Sequence, residues 1–299
     1  MTDATLSSRI ELPIQAAAAK VRGYWGTVGY RLRYDYVTLF FLSVIVVIAL
    51  AAIFAPLIAP FDPNKTSMVY RLKPVGFRDF KLGTDELGRD MLSRLIWGGR
   101  MSLLMGLAPV AFATAIGGML GVVAGFVGGK LNMLIMRTID IFFAFPSVLL
   151  AVAISGTMGG GMINGLIALT LVFIPPLCRI AETATTQVRN LDFVEAARAS
   201  GAPTGSIILH HILGNVLAPV LIYASSLISV SVLLSAGLSF LGLGVEPPTP
   251  DWGLMLSTLR QAIYVQPLVC ALPGVAIFIT SLSLNLMSDG LRHAMDVRI

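Results

Sequence analysis

The sequence predicts an all-α integral membrane protein with six transmembrane helices, and three observations support this. Hydrophobic residues make up 56% of the 299 positions and charged residues only 12%, whereas a soluble domain carries roughly 25% charged residues. A bilayer core of about 30 Å is crossed by about 20 helical residues, and five longer stretches contain no Asp, Glu, Lys or Arg. These stretches are 36–61, 101–129, 141–178, 212–245 and 261–288.

The third observation is a glycine-rich break that divides the stretch 141–178 into two spans. Gly156 and the run 159–161 predict a tight turn near its middle, because glycine adopts backbone conformations that other residues avoid. The third helix starts before this stretch, near Leu131. The six predicted spans are about 37–59, 101–128, 131–155, 162–185, 212–240 and 264–288.

The distribution of basic residues predicts that both termini lie in the cytoplasm. Of the 21 Lys and Arg residues, twelve fall on the side of the N-terminal tail, residues 1–36, and nine on the opposite side. Short loops rich in Lys and Arg stay in the cytoplasm, and the two short outer connections hold only Arg260. The segment 60–100 is the exception, with eight basic residues. On this orientation that segment is periplasmic.

The segment 60–100 is predicted to end in an amphipathic helix. Thr84 is placed to cap its first turn, where Asp85 and Glu86 suit the positive end of the helix dipole. Five apolar residues then fall on one face: Leu87, Met91, Leu92, Leu95 and Ile96. Such a helix lies on the outer membrane surface. It is either a connector or a docking surface for an external partner.

A short polar passage, 191–215, predicts a two-turn helix between the fourth and fifth spans. Asp192 is placed as its N-cap, with Glu195 three positions later to complete a capping box. Gly201 supplies a left-handed stop, and Pro203 prevents the helix from continuing. Three alanines make the helix thin: Ala196, Ala197 and Ala199. Another protein surface outside the bilayer can therefore approach it closely.

Four glycines at every fourth position predict close packing of the second span. They are Gly117, Gly121, Gly125 and Gly129. Such a row leaves a smooth groove along one helix face, where a neighbouring backbone can approach. The Lys130 that follows does not belong to a phosphate-binding loop. The first glycine of that motif and the hydroxyl residue after the lysine are both missing.

A row of serines, Ser231, Ser235 and Ser239, marks one face of the fifth span. Each hydroxyl can donate to the carbonyl one turn back, so the row is tolerated in lipid. Two interpretations remain open from the sequence. The row lines a polar pathway, or it packs against a neighbouring helix.

The sequence offers no constellation for catalysis, metal binding or nucleic-acid binding. His210 and His211 diverge by about 100° on a helix, so they cannot share a metal ion. No span carries the carboxylates that an ion-coupled secondary transporter or a proton relay needs near mid-membrane. A nucleophile–base set and a basic stripe with interleaved aromatics are also missing. We therefore expect neither an enzyme nor a cofactor site in this chain.

Several motifs resemble those of the permease subunits of bacterial ABC importers. Glu195-Ala-Ala, with Gly201 four residues beyond Ala197, resembles their cytoplasmic EAA loop. Four further segments are similar to the second, C-type subunit of the dipeptide, oligopeptide and nickel importers: residues 83–90, 137–146, 236–253 and 285–292. The resemblance runs from about residue 38 to the C-terminus. It implies a type I ABC importer permease fold for residues 37–299.

The resemblance implies that residues 186–211 couple the permease to cytoplasmic ATPases. The short helix would lie in a groove of an ATPase subunit, with Glu195 facing a basic residue and small side chains allowing close approach. The coupling residues that the resemblance implies are Asp192, Glu195, Ala196, Ala197, Gly201, His211 and Ile212. Closure of the ATPases would then drive the permease from an inward-facing to an outward-facing state.

The resemblance also implies the partners and the cargo. The chain would form half of a heterodimeric pathway with a homologous B-type permease in the bacterial inner membrane, in contact with membrane lipid. Two ABC ATPase subunits would bind ATP and Mg²⁺, and a periplasmic or lipid-anchored binding protein would deliver the cargo. Dipeptides or oligopeptides are the expected cargo. Nickel complexes and glutathione are the alternative cargoes. The alternative function is that of an ion-coupled secondary transporter.

Overall fold

The computed structural model describes residues 24–295, where the regular structure is helical apart from two isolated bridges. Residues 1–23 of the predicted tail, and residues 296–299, lie outside the described range. The helices are α1 (Tyr24–Tyr34), α2 (Tyr36–Ile53), α3 (Ala55–Ile58), α4 (Met91–Val127), α5 (Gly129–Phe143), α6 (Ser147–Met158), α7 (Met162–Val188), α8 (Asp192–Ala199), α9 (Thr204–Ile207), α10 (Leu213–Phe240), α11 (Trp252–Leu259) and α12 (Pro267–Met295). A π-helical turn, Ile208–Ile212, joins α9 to α10.

Five helical stretches are long and apolar enough to cross a bilayer. They are Tyr36–Ile53, Met91–Val127, Met162–Val188, Thr204–Phe240 and Pro267–Met295. A sixth crossing is available from α5 and α6, which pass the same test when they are taken together. The predicted all-α membrane fold with six spans is therefore confirmed.

The third span differs from the single helix predicted for residues 131–155. It consists of α5 and α6, which meet at an angle of 90°. Pro146 stands at this corner as the residue before α6. Proline has no backbone N–H to continue a helix, and its ring clashes with the preceding helical turn. The proline thus accounts for the break that the prediction missed.

The second span is longer than predicted, because α4 already begins at Met91. The predicted cap was wrong. Asp90 caps the helix, and its carboxylate accepts a hydrogen bond from the Ser93 N–H at 2.8 Å. Thr84 instead accepts the N–H of Lys73 at 2.8 Å, within the preceding loop. The amphipathic helix predicted here is therefore the start of α4, whose 37 residues at about 1.5 Å each exceed a bilayer core of about 30 Å.

A buried cluster of charges holds the segment that precedes α4. The Asp85 carboxylate contacts Arg89 at 2.6 Å and Arg94 at 3.3 Å, and all three residues are at most 5% exposed. Arg89 also pairs with Glu86 at 2.9 Å. Arg94 donates a hydrogen bond to the carbonyl of Pro63 at 3.0 Å. The cluster therefore ties this segment to the first turn of α4.

Replacing Asp85 with asparagine is expected to destabilise the protein, because Arg89 and Arg94 lose their shared buried counter-charge. Removing one partner of a buried ion pair costs about 3–5 kcal/mol. Thermal or denaturant unfolding of the purified protein measures this loss. Asp79→Asn is the control, since Asp79 is exposed in the same segment. Equal stability of the two variants would contradict the role assigned to the cluster.

The connection between α10 and α12 is anchored on α4 by Asp251 and Trp252. The Asp251 carboxylate caps α11 and accepts a hydrogen bond from the Ser102 hydroxyl at 2.6 Å. Burial raises the pKa of this carboxyl. The Trp252 indole N–H donates to the carbonyl of Leu95 at 2.9 Å. Residues 236–253, singled out in the sequence, thus include the anchor of this connection.

The glycine row of α4 packs against α7 at three of its four members. A Cβ atom at Gly117, Gly121 or Gly125 would lie within 2.7 Å of a backbone carbonyl of α7. The two backbones are therefore in direct contact, as the sequence predicted. Gly129 is a correction. It has a φ of +56° at the start of α5, and a Cβ there would meet no atom within 4 Å. Glycine at this position therefore allows the backbone conformation and does not contribute to the packing of α4 against α7.

The serine row of α10 is buried, which favours packing over the lining of a pathway. Ser231, Ser235 and Ser239 are at most 3% exposed. Ser231 Oγ donates a long hydrogen bond, 3.5 Å, to the carbonyl of Met105 on α4. That carbonyl lacks its usual helical donor, because the residue one turn later is Pro109 and has no N–H. The row therefore serves contacts within the chain in this conformation.

Candidate functional site

The short helix predicted between the fourth and fifth spans is present as α8, but its N-terminal cap differs from the prediction. The helix already includes Asp192, and Leu191 precedes it without any side-chain hydrogen bond. The carbonyl of Leu191 accepts the N–H of Val194 at 2.9 Å and that of Glu195 at 3.2 Å. The capping box is therefore absent. Asp192 and Glu195 instead place negative charge in the first turn, where it complements the helix dipole.

The C-terminal end of α8 follows the prediction. Gly201 has a φ of +80°, a conformation that glycine adopts without strain. The N–H of Gly201 donates to the carbonyl of Arg198 at 3.0 Å, and the N–H of Ala202 donates to that of Ala197 at 3.1 Å. These two bonds form a Schellman motif, which satisfies the last carbonyls of a helix. The helix therefore ends sharply after two turns.

The helix α8 is attached to the core of the protein mainly through Val194 and Ala197. Val194 is fully buried, and Ala197 is half-buried against the same core. The exposed residues of the helix are Asp192, Phe193, Glu195, Ala196, Arg198 and Ala199. The two central alanines of the predicted coupling surface are thus separated. Ala196 faces outward, whereas Ala197 supports the helix from beneath.

His211 and Ile212 lie behind α8 and not on its exposed face. The His211 ring is 6.3 Å from the ring of Phe193, measured between centroids. Ile212 is fully buried in the core that contains Val194. Both residues belong to the turn that leads into α10. Their position is suited to orienting α8, and the free surface is formed by other residues.

Two arginines connect α8 and its approach to the end of α4, a link that the sequence did not predict. Arg189 ends α7, and its Nη1 donates to the carbonyl of Gly125 at 2.7 Å. Arg198 of α8 lies over the ring of Phe126, 5.2 Å from its centroid. Gly128 follows with a φ of +69°, and a Cβ there would lie 2.6 Å from the Arg189 guanidinium. Arg189 and Arg198 thus attach the last turn of α4 to the segment that contains α8.

The helix α5 is attached to α7 by two polar pairs. Asn132 donates to the Glu182 carboxylate at 2.6 Å, and Arg179 pairs with Asp140. Arg137, three residues before Asp140 on the same helix, also pairs with it but at a longer distance, 3.8 Å. Sequence spacing could not show the closer partner, because it lies on another helix. The C-terminal ends of α4 and α7 therefore form one connected unit with α5, beside α8.

No metal-binding group of three or more His, Cys, Asp or Glu residues occurs within residues 24–295. The free cysteines Cys178 and Cys270 are both buried. The exposed surface of α8 combines two acidic residues with small and aromatic side chains. Such a surface is suited to docking another protein.

Two family models match the chain. Residues 117–299 match the binding-protein-dependent transport system inner membrane component. Residues 23–74 match the N-terminal transmembrane domain of oligopeptide transport permease C. The first match contains α8 and both of the helices that flank it.

Similar sequences are named as permease proteins of transport systems. The chain is 44% identical over 257 residues to a di/tripeptide transport system permease protein of Pseudomonas aeruginosa, with 84% of this chain and 85% of the relative covered. It is 38% identical over 258 residues to a glutathione transport system permease protein of Pectobacterium atrosepticum, with 86% and 85% covered.

A solved structure has a similar fold. It is an inward-facing conformation of the MetNI methionine ABC transporter, with a TM-score of 0.56 and 21% sequence identity. The likeness covers 68% of this chain and 97% of that chain. The predicted type I permease fold is thereby confirmed.

Proposed function

Because the chain belongs to the family of binding-protein-dependent transport system inner membrane components, we propose that it forms half of the membrane pathway of an importer. It is a permease component of an ABC transport system and not itself an enzyme. The other half would be a homologous B-type permease subunit. A periplasmic or lipid-anchored binding protein would present the cargo, and two ATPase subunits would bind ATP and Mg²⁺.

The exposed face of α8 is the observation that carries this proposal. The helix is short, ends sharply, buries only Val194 and leaves most of its other side chains exposed. An ATPase surface can approach Ala196 closely, and Glu195 can pair with a basic residue of that surface. On this proposal α8 and both termini lie in the cytoplasm of the cell, and the chain spans the bacterial inner membrane.

We propose di- or oligopeptides as the cargo. A relative with 44% identity is named for di- and tripeptides. A relative with 38% identity is named for glutathione, itself a short peptide, so glutathione is the first alternative and nickel complexes the second. Uptake competition by these three classes in the reconstituted transporter would distinguish them.

The contacts around α8 suggest how ATPase closure reaches the membrane helices. A displacement of α8 pulls on Arg198, which lies over Phe126, and on the backbone next to Arg189, which is bonded to Gly125. Both contacts end on the last turn of α4. Asn132 of α5 connects this end to α7, because its side-chain amide donates to the carbonyl of Ala124 on α4 at 3.2 Å and to the Glu182 carboxylate on α7. Movement of α8 is therefore passed to three membrane helices together.

Co-purification and uptake test the proposed function. Affinity purification of this chain from its natural membrane is expected to yield the ATPases and a second permease. Reconstituted in vesicles with its binding protein, the complex is expected to import peptide only with ATP. Uptake by the isolated chain under an ion gradient alone would contradict the proposal and favour a secondary transporter.

Replacing Arg189 with glutamine is expected to uncouple transport without preventing docking. Hydrogen bonds that involve a charged group contribute about 1.5–3 kcal/mol, so uptake per assembled complex should fall by about tenfold or more. ATPase binding should be unchanged, because Arg189 does not lie on the exposed face of α8. Arg137→Gln is the control, since its side chain is 80% exposed. Equal uptake by both variants would exclude this coupling route.

A further inference from the structure

Two cavities meet at Arg100, where α2 ends beside α4. One has a volume of about 620 Å³ and lies beyond the end of α2. Its lining includes polar and aromatic groups: Asp62, Asn64, Trp97 and Thr249. The other, about 600 Å³, is a groove between α2 and α4. Apart from Arg100, only Ala, Ile and Leu residues line it. Arg100 therefore lines both the polar pocket and the apolar groove.

Arg100 is fixed at this boundary by its own contacts. Its Nε donates to the carbonyl of Ala52 at 2.5 Å, and its Nη2 donates to that of Ile53 at 2.6 Å. The guanidinium carbon lies 4.6 Å from the ring centroid of Trp97. Tryptophan and arginine are both typical of the boundary between hydrocarbon and headgroups. The cation is thus held at the level where a phosphate of a lipid would lie.

The length of the groove identifies its occupant. It runs along α4 from Arg100 to Ala111, and eleven residues at about 1.5 Å each give about 16 Å. This is close to half of a bilayer core of about 30 Å. A transmembrane helix of another subunit would need a groove through the whole core. An acyl chain needs one leaflet only.

We propose that these cavities bind one glycerophospholipid, with its phosphate at Arg100 and one acyl chain in the groove. The polar pocket also contains Asp62, whose carboxylate makes no ion pair within residues 24–295. A cation and an anion in one pocket complement a zwitterionic headgroup. The site therefore selects phosphatidylethanolamine over phosphatidylglycerol, in the leaflet on the side of residues 60–100. This inference does not depend on the cargo.

Native mass spectrometry of the purified full-length protein, equilibrated with vesicle lipids of defined headgroup, tests the site. We expect one retained phosphatidylethanolamine per chain, and about tenfold weaker retention in Arg100→Gln, because a charged hydrogen bond to the phosphate is lost. Ala111→Phe should also weaken retention by filling the groove. Ala115→Phe is its matched control, because Ala115 is an exposed alanine one turn further along α4 and does not line the groove.

The two alanine variants keep the test valid if Arg100→Gln fails to fold, since both retain the hydrogen bonds of Arg100 to α2. Equal retention in Ala111→Phe and Ala115→Phe would show ordinary annular lipid and overturn the proposal. Equal retention of phosphatidylglycerol would overturn the headgroup assignment. Efficient cross-linking of a Leu104→Cys variant to another subunit would show that protein fills the groove, which would also overturn it.

Discussion

Replacing Ala196 with arginine is expected to abolish ATP-dependent uptake while the protein still inserts into the membrane. Ala196 is exposed on the free face of α8, so a long side chain there does not disturb the fold. It would instead hold an approaching ATPase away from the helix. Truncation of a hot-spot residue at the centre of an interface costs about 2 kcal/mol or more, and we expect obstruction at Ala196 to cost at least as much, which corresponds to a loss of docking affinity of about thirtyfold or more.

Reconstituted uptake and ATPase stimulation measure this effect, and Ala196→Ser is the control that keeps the residue small. Ala197→Arg is a poorer test, because Ala197 is half-buried against the core that contains Val194. Its loss of function would not separate misfolding from failed docking. Normal uptake with normal ATPase stimulation in Ala196→Arg would exclude the exposed face of α8 as the docking surface.

Replacing Gly121 with alanine is expected to separate α4 from α7. The new Cβ would overlap the backbone carbonyl of Cys178 and would lie 2.7 Å from the Cβ of Ala181. A backbone group cannot rotate away, so the helices must move apart. Overpacking of this kind costs about 1–3 kcal/mol. The melting temperature of the purified protein and its yield after membrane extraction measure the change.

Gly118→Ala provides a matched control on the same helix. A Cβ at Gly118 would meet only a methyl group of Val220, at 4.0 Å. Alanine is also favoured over glycine inside a helix by about 0.5–1 kcal/mol. Gly118→Ala should therefore be neutral or slightly stabilising. A similar loss of stability in both variants would mean that the glycine row does not hold the two helices together.

The membrane spans could be predicted because their composition is a direct requirement of the bilayer. The places where helices begin were harder to predict. Thr84 and Asp90 are both residue types that can cap a helix. The segment between these two residues is a loop, in which Asp85 forms buried ion pairs with Arg89 and Arg94. These pairs depend on the folded arrangement of the segment. The corner at Pro146 was missed, and its angle depends on how α5 and α6 pack.

The helix α8 shows the same difference between local and long-range information. Its C-terminal stop at Gly201 is a local property and was predicted correctly. Which alanine faces outward depends on the burial of Val194 in a core formed by other helices. The contact of Arg189 with Gly125 joins residues 64 positions apart. A single sequence holds no signal for such a pair.

The length of α4 has a mechanical consequence. Its N-terminal end holds the buried charges around Asp85, and its C-terminal end is held by Arg189. Between them, Gly106 lies directly against Val232 of α10. If α4 turns about this contact in the proposed importer, its two ends move in opposite directions, so that narrowing of the pathway at one end accompanies widening at the other.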